Sequence, residues 1–527
     1  MTTNRRPMGF CAVHNPVIVR ADGHPSGNDL LRFDSGRRLT FAQALRNILI
    51  LGQTGSGKTT SVVLPSVRSL LAAGFGGLIL DVKGSLRPHV RAIARACGRE
   101  GDIVEFGSDP SANRTNLFAG LAVHEWVALL ETMTMDGLEI DPNAFWSAKG
   151  AKMAGEVGRI LYGLSRIARR SEFSRMLRPT LRLIHACLTD RRLAAGLLLF
   201  AKAEFDDLLK GRDIDSMSAY MVQAERLFGE IEADRFHIMK RRGKKFTDED
   251  EKQQVWVLQR ILYRLSQLQA THGLLDRFSC TDRDAVPMDF GRLVYGDNKV
   301  VLVHFGMDCG PAGDLLARTI KGMYYQSVMK HGLDLPDDRC MFMIADEFQH
   351  LLNVDRESRL NDMDFFGLSR EFRNVNVIAS QSVASLHAKG ERDAVDSLLA
   401  NCTTKVFMKS SDPRTIDWVR GFREEDAGDM KNLRRGECLL ETMDENDDTV
   451  SCKDGLNGAY AFAQEGVVPE PERPSVSAEG HFGTPSGLPP AMERKLRELG
   501  TVTDEAEKAF PSPRRGAPLR DEERRSA

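Results

Sequence analysis

The sequence of 527 residues is long enough for roughly two to four compact units and a large buried core. With 42% hydrophobic residues, 28% charged residues and a net charge of -2 it reads as an ordinary globular chain; its overall charge argues neither for nor against nucleic acid, so any basic surface is local. The longest near-apolar stretches, Leu70–Leu80 and Ala194–Ala201, fall well short of a membrane span, and residues 1–15 lack the apolar core of a secretory leader, so the expectation is a chain not itself inserted in a membrane.

In chain order, residues 1–38 form an N-terminal segment. From Leu39 to Phe106 short apolar runs alternate with helical periodicity. Ile48–Leu51, Gly77–Val82 and Ile103–Phe106 read as strands, and Thr59–Ala73 and Leu86–Cys97 as helices. That alternation predicts βαβ units around a parallel sheet buried on both faces. Between the first strand and the first helix lies Gly52-Gln53-Thr54-Gly55-Ser56-Gly57-Lys58-Thr59-Thr60. Glycines at 52, 55 and 57 let backbone N–H groups turn inward on phosphates, and the helix that follows adds its positive dipole end. Lys58 is then placed for the β/γ-phosphates of ATP and the Thr59 hydroxyl for Mg²⁺.

From about Asn116 to Val286 the pattern changes to long helical periodicity rich in Leu, Ala, Arg and Met, which predicts an all-α domain over 116–286 inserted into the α/β domain. Its most charged segment, Lys240–Lys245, is followed at once by Asp248–Glu251, which favours a solvated, self-compensating loop over a DNA clamp. Sheet character resumes at Lys299–Phe305 and continues through a helix at Ala312–Lys330 to strands at Cys340–Ala345, Asn376–Ala379 and Lys405–Met408. The nucleotide-binding domain is thus expected over 39–115 and 287–465. Residues 466–527, rich in Pro, Glu, Arg, Ser and Gly, read as a disordered tail. The nine cysteines contain no C-x-x-C pair, so neither a zinc site nor a disulfide framework is expected.

Asp346 and Glu347 directly follow an apolar strand. Nucleotide hydrolysis calls for two carboxylates at such a place, one on the Mg²⁺ side opposite Thr59 and one to orient and deprotonate the attacking water. Asp346 is assigned to the metal and Glu347 to the water. Gln381, at the end of a later strand, is placed to feel the γ-phosphate, although on position alone it reads equally well as an ordinary turn residue. Arg370, eleven residues earlier, could act as an arginine finger from a neighbouring subunit; on chemistry alone a solvent-facing arginine is the commoner reading.

Together these motifs resemble the coupling ATPases of conjugative type IV secretion, a branch of the RecA-like hexameric DNA pumps, from about Asn47 to Phe422. Asp81-Val82-Lys83-Gly84 resembles that family's acidic-Pro-Lys-Gly motif, with Val82 and Ser85 replacing the usual Pro and Glu. Phe145-Trp146 resembles the start of its all-α domain, and Asp346-Glu347-Phe348 its second nucleotide motif. Arg370 to Gln381 has the spacing of its arginine finger and sensor glutamine, and Leu399–Asn401 through Asp412-Pro413 and Gly421-Phe422 resembles its closing strand and helix. The resemblance implies an α/β RecA-like P-loop ATPase with an inserted all-α domain. It further implies a hexamer that moves DNA, or a DNA–protein conjugate, through a pore by nonspecific contacts, with ATP and Mg²⁺ as cofactors and a relaxase or membrane-secretion partner. Typical members carry N-terminal transmembrane helices and this sequence shows none, so the expected location is cytoplasmic, or peripheral at the inner membrane through a partner.

Two alternatives stand beside that reading. One is a soluble translocase in DNA processing or anti-phage defence, and the other a nucleotide-gated adaptor that recruits a relaxase or effector. An ABC transporter subunit is disfavoured because no Leu-Ser-Gly-Gly-Gln-like signature follows the phosphate loop. Length, the Asp-Glu pair and the helical insertion disfavour a kinase or small GTPase.

Overall fold

The computed structural model describes residues 29–135, 144–167, 177–189, 248–336, 338–354, 361–444 and 448–467. The basic segment Lys240–Lys245 and nearly all of the expected tail lie outside them. The chain divides into two compact units, Met1–Ala148 with Ser266–Gly480, and Lys149–Leu265 with His481–Ala527.

The first unit opens with an antiparallel pair, β1 (Asp29–Arg32) and β2 (Arg38–Thr40). The strands that follow are β3 (Ile48–Leu51), β4 (Gly77–Asp81), β5 (Ile103–Gly107), β6 (Val300–His304), β7 (Met341–Asp346), β8 (Asn374–Ser380), β9 (Thr404–Met408), β10 (Glu437–Met443) and β11 (Thr449–Gly455). Among the described residues they form one sheet of 9 strands in the order β11-β10-β9-β3-β8-β7-β4-β6-β5. The span from β9 to β5 is parallel throughout, and β10 and β11 add an antiparallel margin.

The physical reason lies in the composition of the strands. In β3, β4, β6, β7, β8 and β9 every residue is buried, as a parallel sheet covered by helices on both faces requires. β11 at the margin has no fully buried residue, which fits a strand covered less completely. Ile48, Ile50, Val62, Val67, Ile79, Phe342, Ile344, Val377 and Val406 belong to one continuous core on a single face of the sheet.

Helical connections carry the chain between parallel strands. The helix expected from Thr59 opens instead as a π turn over Thr59–Val63, where the N–H of Leu64 donates to the Thr59 carbonyl, and becomes α-helical over Leu64–Ala72. The widened turn holds its first residues against the phosphate loop, since the N–H of Ser61 donates to the Gly57 carbonyl at 2.8 Å. Arg87–Ala96 follows β4, and Gly310–His331 follows β6. Eight cysteines among the described residues are free, six of them buried, so they serve as small apolar residues.

The second unit is helical in its described residues. The helix Ala144–Ile167 runs into it, as does Asp248–Ala270, so Asp248–Glu251 opens a helix and is not loop. The two helices meet closely at Gly150, where an added Cβ would stand 1.9 Å from the Val257 carbonyl oxygen. Only glycine permits backbone approach at that distance.

Candidate nucleotide site

Parallel register brings the carboxyl ends of four strands to one rim. Leu51 pairs with Ser380, Ala345 with Ile378 and Asp81 with Asp346. The loop after β3, the carboxylates after β7, Gln381 after β8 and Lys83 after β4 therefore converge at the edge where ligands bind in open α/β sheets.

The phosphate loop is fixed from two sides. The N–H of Gly52 donates to the Ser380 carbonyl at 3.3 Å and that of Gln53 to the Lys409 carbonyl at 2.9 Å. The Gln53 side-chain oxygen accepts from the Ser411 N–H and hydroxyl at 3.1 and 3.0 Å. Thr54 and Gly55 are exposed at the tip. Gly57 has a φ of 100° and lies against Gly436 and Arg435, so an added Cβ would meet strain and neighbours at 3.2 to 3.3 Å.

Lys58 is buried, with its ammonium folded onto its own loop, donating to the carbonyls of Gly52 and Gln53. Burial lowers its pKa, opposed by the nearby charges of Glu347 and Asp346 and aided by that of Lys83. The Thr59 hydroxyl donates to Asp346 Oδ2 at 2.8 Å, and the Thr60 hydroxyl donates to the Gly57 carbonyl at 3.2 Å. Burial pushes the Asp346 carboxyl above the usual range, the Thr59 hydrogen bond opposing and the Glu347 charge adding to the rise.

Glu347 is held more tightly than its neighbour. Its backbone is left-handed, with φ 54° and ψ 48°, a conformation uncommon for a residue with a side chain and typical of strained functional positions. Its Oε1 pairs with the Lys83 ammonium, and its Oε2 accepts from Gln349 Nε2 at 2.5 Å and from Gln381 Nε2 at 2.9 Å. Burial raises its pKa, but the hydrogen bonds from Lys83 and Gln349 and the Lys83 charge outweigh it, and the net displacement is downward. Three donors therefore hold the carboxylate ionised at an uncommon backbone angle, on the rim that also carries Thr59 and Asp346.

Asp81, paired in register with Asp346, is taken up by the start of the next helix. Its Oδ2 accepts from the N–H groups of Leu86 and Arg87 at 2.7 and 3.0 Å, which caps the start of Arg87–Ala96. Its pKa is pushed up to about 6 by burial, against those same hydrogen bonds.

The donor set fits a magnesium-bound polyphosphate. Two hard oxygens, Thr59 Oγ1 and Asp346 Oδ2, already lie together, and the buried Ser56 Oγ in the same loop has no hydrogen-bond partner.

Arg370 is not in this cluster. It is exposed in the turn after the helix Asp362–Leu368, at the amino end of the strands, where its carbonyl accepts from Arg373 and the Arg373 carbonyl from Met341 at the start of β7. Five strand steps from Met341 to Asp346 amount to about 17 Å, so Arg370 and Glu347 of one chain stand at opposite rims. Gln349 was not apparent from sequence; its position two residues after Glu347 is the one local sign of it.

No family model matches the sequence, and no curated protein matches it. Solved structures do. The plasmid coupling protein TrwB in complex with a non-hydrolysable GTP analogue is 15% identical, with 81% of this chain and 89% of that chain covered and a TM-score of 0.55. The fold is that of the conjugative coupling proteins. TrwB with a non-hydrolysable ATP analogue gives the same identity, coverage and TM-score. An unbound form of TrwB, 15% identical, covers 84% of this chain and 85% of its own with a TM-score of 0.50. The mostly parallel sheet with helices on its faces is the P-loop ATPase fold common to them. Among the described residues, no helix is long and apolar enough to cross a membrane.

Proposed function

We propose that this chain is an ATP-driven motor of the coupling-protein class, moving DNA or a DNA–protein substrate and working as a hexameric ring. The observation that carries the reading is the 2.8 Å contact of Thr59 with Asp346, on the rim that also holds Lys58 and Glu347. In this proposal residues 52–60 wrap the phosphates with backbone N–H groups, and Lys58 leaves its loop carbonyls for the β/γ-phosphates. Thr59 and Asp346 hold Mg²⁺, which when bound offsets the charge of the terminal phosphates.

Glu347 orients the attacking water and takes its proton, while Gln381 steadies the carboxylate and reports the γ-phosphate to β8. Arg370 serves the neighbouring subunit; a side chain at the amino rim cannot serve its own site, and a head-to-tail ring brings that rim near the next one. The nucleotide-binding domain is taken as 39–115 with 287–465, and the all-α domain as 116–286. TrwB, whose fold the chain shares, was solved with ATP and GTP analogues, which supports nucleoside triphosphate as the ligand class.

ATPase rate measured with and without DNA, beside mass photometry with and without nucleotide, tests the proposal. A DNA-stimulated rate that falls with salt, in a nucleotide-promoted hexamer, supports it. An unstimulated rate in a chain that stays monomeric overturns it.

A further inference from the structure

Lys83 occupies the turn between β4 and the helix Arg87–Ala96, and the parallel register of Asp81 with Asp346 sets it beside Glu347. The turn is anchored by the two backbone hydrogen bonds to Asp81 and by Gly84, whose φ is 73°. The backbone is therefore fixed, and the lysine side chain is 35% exposed, against 5% for the carboxylate it holds. Three donors share the two oxygens of Glu347, and of the three only Lys83 carries a charge. While that ion pair lasts, the carboxylate is a poor acceptor for a proton from water. Lys58 feels the charges of Glu347, Asp346 and Lys83, so two ammoniums and two carboxylates lie near one another on this rim.

We propose that Lys83 distinguishes nucleoside triphosphate from diphosphate: it holds Glu347 when no terminal phosphate is present and moves to that phosphate when a triphosphate binds, freeing the carboxylate. The proposal rests on the motor reading in one respect, that this rim takes nucleotide phosphates. The water that Glu347 would orient attacks the terminal phosphorus, so a lysine beside Glu347 stands beside the γ-phosphate and away from the β. Phosphate oxygens are strong acceptors for an ammonium, and Gln349 and Gln381 remain to keep Glu347 in place after Lys83 leaves. Lys83 is thus a specificity-determining and positioning residue, and the bond it exchanges is an ion pair with no covalent step.

Titration calorimetry with Mg²⁺ and either ADP or the non-hydrolysable analogue AMP-PNP tests this on the wild-type chain, K83M and K83R. Loss of one charge-assisted contact predicts about tenfold weaker AMP-PNP binding for K83M, with ADP binding changed less than about twofold and K83R recovering most of the loss. Equal losses for both nucleotides, or a loss for neither, overturn the role of Lys83 and leave the motor reading intact. Failure of the wild-type chain to bind either nucleotide overturns both.

Discussion

Thr59 and Asp346 lie 287 positions apart in the chain and meet through a hydrogen bond of 2.8 Å. Neither local propensity nor helix geometry links them. Two strands do, β3 and β7, each placed in the sheet on either side of β8, so the carboxyl ends of three strands present a phosphate loop and a carboxylate pair at one edge.

Lys58→Ala removes the buried ammonium proposed to reach the β/γ-phosphates. Turnover of ATP is expected to fall about 100-fold or more, with an unchanged circular dichroism spectrum. Retained turnover would place the active site outside residues 52–60.

Glu347→Gln keeps the carboxyl's shape and its place between Gln349 and Gln381 but removes the proton acceptor. The variant should bind ATP and fail to cleave it, accumulating the ATP-bound form in a rapid filtration assay. Normal cleavage by the variant would assign the water to another group.

The separation of Arg370 from Glu347 within one chain leads to a complementation experiment. Arg370→Ala and Glu347→Gln proteins are each expected to be inactive, while an equal mixture regains turnover, because about a quarter of random ring interfaces combine an intact Glu347 with a neighbour's intact Arg370. No recovery in a mixed oligomer confirmed by mass photometry would count against action across the interface.

His304, at the end of β6, supplies a pH dependence. Burial, then the charges of Arg87, Arg277 and Arg91, lower its pKa from 6.5 to about 4, despite Glu105 Oε2 at 3.8 Å and the opposing charge of Asp109. The folded chain therefore holds the imidazole neutral, so its contribution to stability is complete above pH 6.5 and is lost as pH falls toward 4. A displacement of that size corresponds to about 3 kcal/mol. In urea unfolding, His304→Gln should flatten the fall in stability between pH 6.5 and 4; an identical slope would mean that His304 titrates normally.

Much of this was legible in the sequence because the central strands are buried on both faces. Ile48–Leu51 emerges with the bounds read from its apolar run, and the runs before Asp346 and Gln381 mark their strands to within a residue or two. The antiparallel pairs were not legible. β11 alternates polar and partly buried residues, and β10 mixes Glu441 and Thr442 into its apolar run, so neither carries a continuous apolar signal. The π turn over Thr59–Val63 depends on packing against the loop, which helical periodicity does not encode. Pairing of Lys83 with Glu347 follows from the register of β4 and β7, a relation between distant segments that local spacing cannot carry.

The most direct measurement is a double-mutant cycle on Mg²⁺–AMP-PNP affinity with Thr59→Ala, Asp346→Asn and the pair. If the two oxygens hold one metal-bound nucleotide, each single change weakens binding by about tenfold and the double variant is little worse than either. Losses that add in full, or no loss from either change, would contradict a shared site at Thr59 and Asp346.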